Sequence, residues 1–319
     1  VRALERHYRD GERWEDLAGF YAARLEHAPD GAAFASLKVQ QAEVRARELA
    51  QVDTALDLLE EVVATDPEQS EAISLLELLL TEDEKRRRIT EILEGVYQRT
   101  TRWKDLVTVL LIRRDLSEDR FEQVELLTRV ARLSEEQIED LDTAFYRYCD
   151  ALRLEPGALE LSDAVKRLGE QLEQWEAEAT AWQEALEAAD EDDVALRGRL
   201  LAELARLQDE RLDTPEDATE SYQQLLALDP DNPESGMVAV KALARLHEAA
   251  QSWQELVEVL RKELSWISDQ EQRLELLSRV GRIQEDLLEQ PAEAIGSYEA
   301  LLGEDPSSAE ALDALERLY

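Results

Sequence analysis

Cysteine is almost absent. Cys149 is the only one in 319 residues, so no disulfide framework holds this chain, and its place in the helical run AFYRYCDAL reads as that of a small buried apolar residue. Histidine is scarce as well: His7, His27 and His247 stand far apart, with neither a cysteine nor a second histidine at ligand spacing, and no metal site is expected. The 11 glycines are ungrouped, and no phosphate-cradling loop, nucleophile elbow or HExxH occurs. The expectation is therefore no catalytic residue, no cofactor and no metal. No apolar run approaches the roughly 18 residues that a membrane span needs, and no charged-then-apolar leader is visible in the residues at hand. Direct membrane insertion is not expected, and a cytoplasmic location is favoured. Alternation of the β type is missing throughout, which leaves an all-α chain.

Positive charge is also short. Lysine and arginine number 36 against 74 acidic residues, a formal charge of −38, and only Lys38, Lys85, Lys104, Lys166, Lys241 and Lys262 are lysine. A chain of this balance lacks the clustered basic face that a phosphate backbone requires, so nucleic acid is excluded as an unaided partner and anionic membranes are disfavoured. The balance suits a basic partner, high solubility or a salty cytoplasm. With acids this abundant, pairs at helical spacing are inevitable and read as a solvated face with Glu–Arg pairing.

What the chain does have is repetition. Trp14, Trp103, Trp175 and Trp253 each open a helical pattern, at intervals of 89, 72 and 78 residues. From each Trp to the acid before a closing Pro (Asp66, Glu155, Asp229, Asp305) the distance is 52, 52, 54 and 52. Counting back 12 from Pro67, Pro156, Pro230 and Pro306 gives Ala55, Ala144, Ala218 and Ala294; counting back eight gives Leu59, Tyr148, Tyr222 and Tyr298; counting back 25 gives Ala42, Ala131, Ala205 and Gly281. Small residues at fixed phase let helix axes approach to about 8 to 10 Å, with an aromatic ring filling the space beside them. Three Trp are followed by W-x2-L (Leu17, Leu106, Leu256), whereas Trp175 is followed by Glu178, with Trp182 available to fill the gap. The run TEDEKRRR, residues 81–88, interrupts the pattern and reads as a local insertion with a short turn. At this spacing the Trp and Tyr ladder reads as core packing, and His7 and His247, both just before a Trp-led helix, read as equivalent packing residues.

In the last copy, LELLSRVGRIQEDLLEQPAEAIGSYEALLGEDP (274–306), Gly281 is followed by Ala294, Tyr298, Leu301 and Pro306. This resembles the tetratricopeptide repeat: a small residue, A-x3-F/Y, then a closing Pro. The offset from small residue to Ala is 13, one above the family's usual 12, so each first helix or its turn is expected to carry an extra residue. The resemblance implies a right-handed α-solenoid of stacked antiparallel helix hairpins, continuous over 1–319. It has about four double-hairpin units, approximately 1–80, 81–168, 169–246 and 247–319. The Trp-led hairpins in an acidic, Arg-rich array are similar to those of long bacterial repeat proteins.

The implied function is a non-enzymatic scaffold that binds a segment or domain of another protein through a solenoid surface. The alternatives are a spacer or self-assembling array, and the recruiting part of a larger enzyme. Counting back 24 from each Pro gives Glu43, Arg132, Arg206 and Arg282, where the family's first helices line the concave groove. Arg132, Arg206 and Arg282 are the candidate partner-binding residues, able to hold carboxylates by forked hydrogen bonds. Each also has an acid three residues on (Glu135, Asp209, Glu285) that would serve as an intrahelical partner. The Lys and Asn carboxylate clamp of some family members is absent, since the single asparagine, Asn232, lies in a turn. Ala3–Tyr8 and Ala314–Tyr319 are the same segment of the period, so the expectation is either an excerpt of a longer array or ends that stack on other chains. Expected partners are thus other proteins, including ones with basic surfaces, and end-to-end copies of the chain.

Overall fold

A computed structural model describes residues 2–28, 31–81 and 83–319. Among them are 18 α-helices and no strand. They are α1 (Arg2–Asp10), α2 (Trp14–Leu25), α3 (Ala32–Arg47), α4 (Val52–Thr65), α5 (Ser70–Leu79), α6 (Arg86–Arg99), α7 (Trp103–Leu116), α8 (Arg120–Leu133), α9 (Leu141–Leu154), α10 (Leu159–Leu172), α11 (Trp175–Ala188), α12 (Val194–Glu210), α13 (Pro215–Leu228), α14 (Pro233–Ala249), α15 (Trp253–Trp266), α16 (Gln270–Arg282), α17 (Pro291–Glu304) and α18 (Ala309–Leu318). Consecutive helices pack as hairpins. Residue contacts divide the chain into two compact units, Val1–Ala151 and Leu152–Tyr319.

Two kinds of turn recur, and both end in a left-handed residue. All eight non-glycine residues with positive φ among those described, at 51° to 60°, lie at these turns. Four sit two residues before a Trp: Glu12, Thr101, Glu173 and Gln251. There the N–H groups of Arg13, Arg102, Gln174 and Ser252 donate to the carbonyls of Tyr8, Tyr97, Gly169 and His247, five residues back. This closure satisfies a carbonyl that the helix end leaves open. The other four, Ala50, Glu139, Asp213 and Glu289, precede the second helix of each Pro-closed hairpin. Here Gln51, Asp140, Thr214 and Gln290 donate six residues back, to Arg45, Ser134, Gln208 and Gln284, at 2.8 to 3.1 Å. The wider closure holds the extra residue implied by the 13-residue offset. At α8 and α16 that residue also widens the helix, which ends in a π turn over Ser134–Ile138 and Ile283–Leu287.

The small residues lie where the spacing places them. Ala42, Ala131 and Ala205, and Ala55, Ala144, Ala218 and Ala294, are all fully buried. At Gly281 the reason for smallness can be measured: a Cβ there would lie 2.7 Å from Cε1 of Tyr298. The ring is itself buried, with its hydroxyl donating to Glu285 at 3.1 Å. Leu17, Leu106 and Leu256 are fully buried, and Trp14, Trp103 and Trp253 pack partly buried against the same cores, so the aromatic ladder is packing. Two expectations need correction. Cys149 is partly exposed, not a buried filler. His247 is buried, whereas His7 is exposed beside Tyr8, its ring centroid 6.1 Å away, so the two do not play the same part.

The insertion in the first unit is larger than a turn. Between Pro67 and Trp103 stand two helices, where other copies have one, and the basic run of TEDEKRRR opens α6 after a 3-10 turn at Asp83–Lys85. Arg88 on α6 reaches Asp57 and Glu60 on α4 at 2.5 and 3.1 Å, and Arg99 ends on the carbonyls of Val63 and Ala64. The helix α6 therefore runs beside α4 and parallel to it. The row continues to α8 through Arg87–Glu122 and Arg129–Glu94. One added helix exchanges the rows: α3, which carries Glu43, packs with α5 on the other side, while its equivalent α8, which carries Arg132, follows α6 in the row that α4 begins.

Two substitutions check this packing. Gly281→Ala is expected to cost about 1 to 3 kcal/mol by forcing the buried Tyr298 ring to shift; a thermal melt equal to the parent's would show that the ring moves freely. Glu139→Gly, which relieves a left-handed side chain, is expected to raise stability by up to about 1 kcal/mol in denaturant titrations.

Candidate functional site

In the second unit, α10, α12, α14, α16 and α18 form a row joined helix to helix by ion pairs. Lys166 meets Glu203 at 2.7 Å and Arg211 meets Glu170 at 3.2 Å, linking α10 to α12. Arg245 pairs with Asp209, Arg279 with Glu248 at 2.9 Å, Arg282 with Glu310 at 2.9 Å and Arg317 with Glu285 at 2.6 Å. The partners come from successive helices of the row, so the charges pair along the stack.

Arg206 on α12 and Arg282 on α16 lie on this row with exposed side chains, and Arg132, also exposed, lies on α8 in the first unit. Arg206 pairs with Glu203 at 3.1 Å and Glu210 at 3.4 Å. Arg282 pairs with Glu310 and takes Ser278 Oγ as a further acceptor at 2.9 Å. The acids three residues on are engaged elsewhere, Asp209 by Arg245 and Glu285 by Arg317 and Tyr298. Arg245 and Arg279 belong to the same charged row, but lie where counting back from the closing Pro does not lead.

Arg282 lines a groove of about 760 Å³ over α14, α16 and α18. Leu274, Ile283, Leu287, Trp253 and Leu301 give it apolar lining. Interleaved with these along α16 and its π turn are Arg279 and Arg282, whose partners Glu248 and Glu310 also line the groove, together with Glu275 and Asp286, which make no ion pair among the described residues. No group of three or more His, Cys, Asp or Glu able to hold a metal occurs among the described residues.

The sharpest departure from the repeat is Glu178. It occupies the position of the fully buried Leu17, Leu106 and Leu256 and is itself only 3% exposed. Gly169, which stands where other copies have Tyr8, Tyr97 and His247, leaves the room: a Cβ there would lie 2.4 Å from Glu178 Oε2. The Nε1–H of the buried Trp182 donates to Glu178 Oε1 at 3.1 Å. Burial raises the pKa of this carboxyl above the ordinary glutamate value and Glu203 adds to the shift, while Trp182, Arg206 and Lys166 oppose it.

The chain matches no family model and no curated protein sequence. It is similar in structure to tetratricopeptide-repeat proteins. YrrB, described as having an unusual peptide-binding site, is 17% identical, with 62% of this chain and 98% of that one covered and a TM-score of 0.32. PilF of Pseudomonas aeruginosa is 14% identical over 73% of this chain and 98% of its own, TM-score 0.33. The TPR2AB domain of yeast Sti1, solved with pHSP90, is 13% identical over 91% and 98%, TM-score 0.25. At such scores the reading of stacked repeat hairpins stands on the packing described above.

The Glu178 geometry makes a pH prediction. A carboxyl whose pKa is raised on folding adds stability that is present below its unfolded value and lost as pH rises through the folded one. Glu178→Leu is therefore expected to stabilise the chain at neutral pH, by on the order of 1 kcal/mol. The gain should shrink as pH falls toward about 4.3, the ordinary glutamate value. Denaturant titrations across that window check it; a gain constant with pH would count against a buried ionised carboxylate.

Proposed function

We propose that the chain is a non-enzymatic protein-interaction scaffold that holds a segment of another protein on the charged helix row. The observation that carries this reading is the groove over α14, α16 and α18, whose lining mixes apolar side chains with charged ones, the exposed guanidinium of Arg282 among them. Such a surface offers burial to apolar side chains and directed hydrogen bonds to charged ones, the mixture by which segments are bound. Arg206 and Arg282 would act by exchange: carboxylates of the partner replace Glu203, Glu210 and Glu310 on guanidinium groups already held in place. No helix of the described residues is long and apolar enough to cross a membrane. A second reading, stacking of copies, is supported by Leu312, half exposed on α18.

Replacing Arg132, Arg206 and Arg282 together with Gln is expected to abolish capture of the partner from an extract of the native host, read by mass spectrometry, with the circular dichroism unchanged. Capture that survives the triple change would return these side chains to a purely structural part. For the second reading, Leu312→Glu should lower the sedimentation mass at high concentration if copies stack, and leave it unaltered if they do not.

A further inference from the structure

On the opposite row of the second unit, a cleft of about 390 Å³ lies between α13 and α15, with α14 beneath it. It is mainly apolar, with Leu226 and Ala227 of α13, Leu243 of α14 and Val259 of α15 in its lining. His247 also lines it, at the position where other copies carry Tyr8 and Tyr97. Tyr97 reaches back to α5 to donate its hydroxyl to Glu77 at 2.6 Å. The imidazole of His247 is shorter, is only 6% exposed, and has no side-chain hydrogen bond among the described residues. One turn of α15 then presents Glu255 and Glu258 at the cleft, exposed and without ion pairs among the described residues. Lys262, the one cation among the described lining residues, is engaged by Asp231 at 3.6 Å and lies 5.0 Å from the ring centroid of Trp266. The cleft therefore combines an apolar lining, a buried polar ring lacking a partner and two unneutralised carboxylates.

We propose that this cleft is a second binding surface, and that it takes an arginine side chain, flanked by apolar residues, from a segment of a partner protein. The guanidinium is planar and forked, so it can bridge carboxylates at i and i+3 on α15. Its aliphatic stem lies along Leu226, Leu243 and Val259, and its remaining N–H meets an imidazole nitrogen of His247. Burial holds the pKa of His247 below the ordinary imidazole value, against the pull of Glu255 and Glu258; at neutral pH the ring is unprotonated and one nitrogen accepts. Nothing here depends on the groove over α14, α16 and α18.

The test uses the full chain and two fluorescein-labelled peptides, one of alternating leucine and arginine and one of alternating leucine and glutamine, at about 0.15 M ionic strength. The arginine peptide is expected to bind, to move the ring C–H resonance of His247 but not those of His7 and His27, and to bind about tenfold more weakly to the double variant Glu255→Gln, Glu258→Gln. Arg282→Gln is expected to leave this binding unaltered, which keeps a failure here distinct from a failure of the scaffold reading. No binding, equal binding of the glutamine peptide, an unmoved His247 resonance or an unaffected double variant would each overturn the proposal.

Discussion

Tyr298 lies so close over Gly281 that a single added carbon would collide with its ring. This contact, or the looser alanine version in the other copies, is the constraint on which the remaining packing depends. Two helices can hold a short axial distance only if one contributes almost nothing at the crossing. The turn between them must then deliver the second helix at the right height, and the six-residue closures ending on Gln51, Asp140, Thr214 and Gln290 do so in every copy. Left-handed backbone at Ala50, Glu139, Asp213 and Glu289 is part of that delivery. Its steric cost is tolerated because the packing it permits buries the alanines and tyrosines completely or nearly so.

A chain with a formal charge of −38 must also limit its own repulsion. The ladder from Lys166–Glu203 through Arg245–Asp209 and Arg279–Glu248 to Arg317–Glu285 places the available cations between helices, where each faces an acid of the next one. Exposed pairs of this kind contribute little singly. Their arrangement matters more for the surface they leave: guanidinium groups held in position by carboxylates of the same and the neighbouring helix.

Regularity makes the exceptions readable. Glu178 with Gly169 and Trp182 is one coordinated exception, in which a deleted ring gives space to a carboxylate and an indole supplies its hydrogen bond. His247 is another, where an imidazole stands in place of a tyrosine and lines a mainly apolar cleft. Both arise at the same step of the repeat, six residues before the Trp.

By itself the sequence determined the helices, the identity of the crossing residues and the presence of one extra residue in each Pro-closed hairpin. All of these follow from local periodicity, and from small residues that only a close crossing requires. It also marked Glu178 as an anomaly, without showing that the carboxyl is buried. Only the tertiary structure decided that TEDEKRRR leads into a whole added helix that puts α3 and α8 on different rows. The same is true of Arg282, which pairs with Glu310 of α18 instead of the acid three residues on, and of the cleft beside His247. The physical reason is range: periodicity reports which face of a helix is buried, whereas ion-pair partners and clefts depend on which helix stacks beside it, a relation carried by residues some 30 to 40 positions apart, such as Arg317 and Glu285 or Arg211 and Glu170.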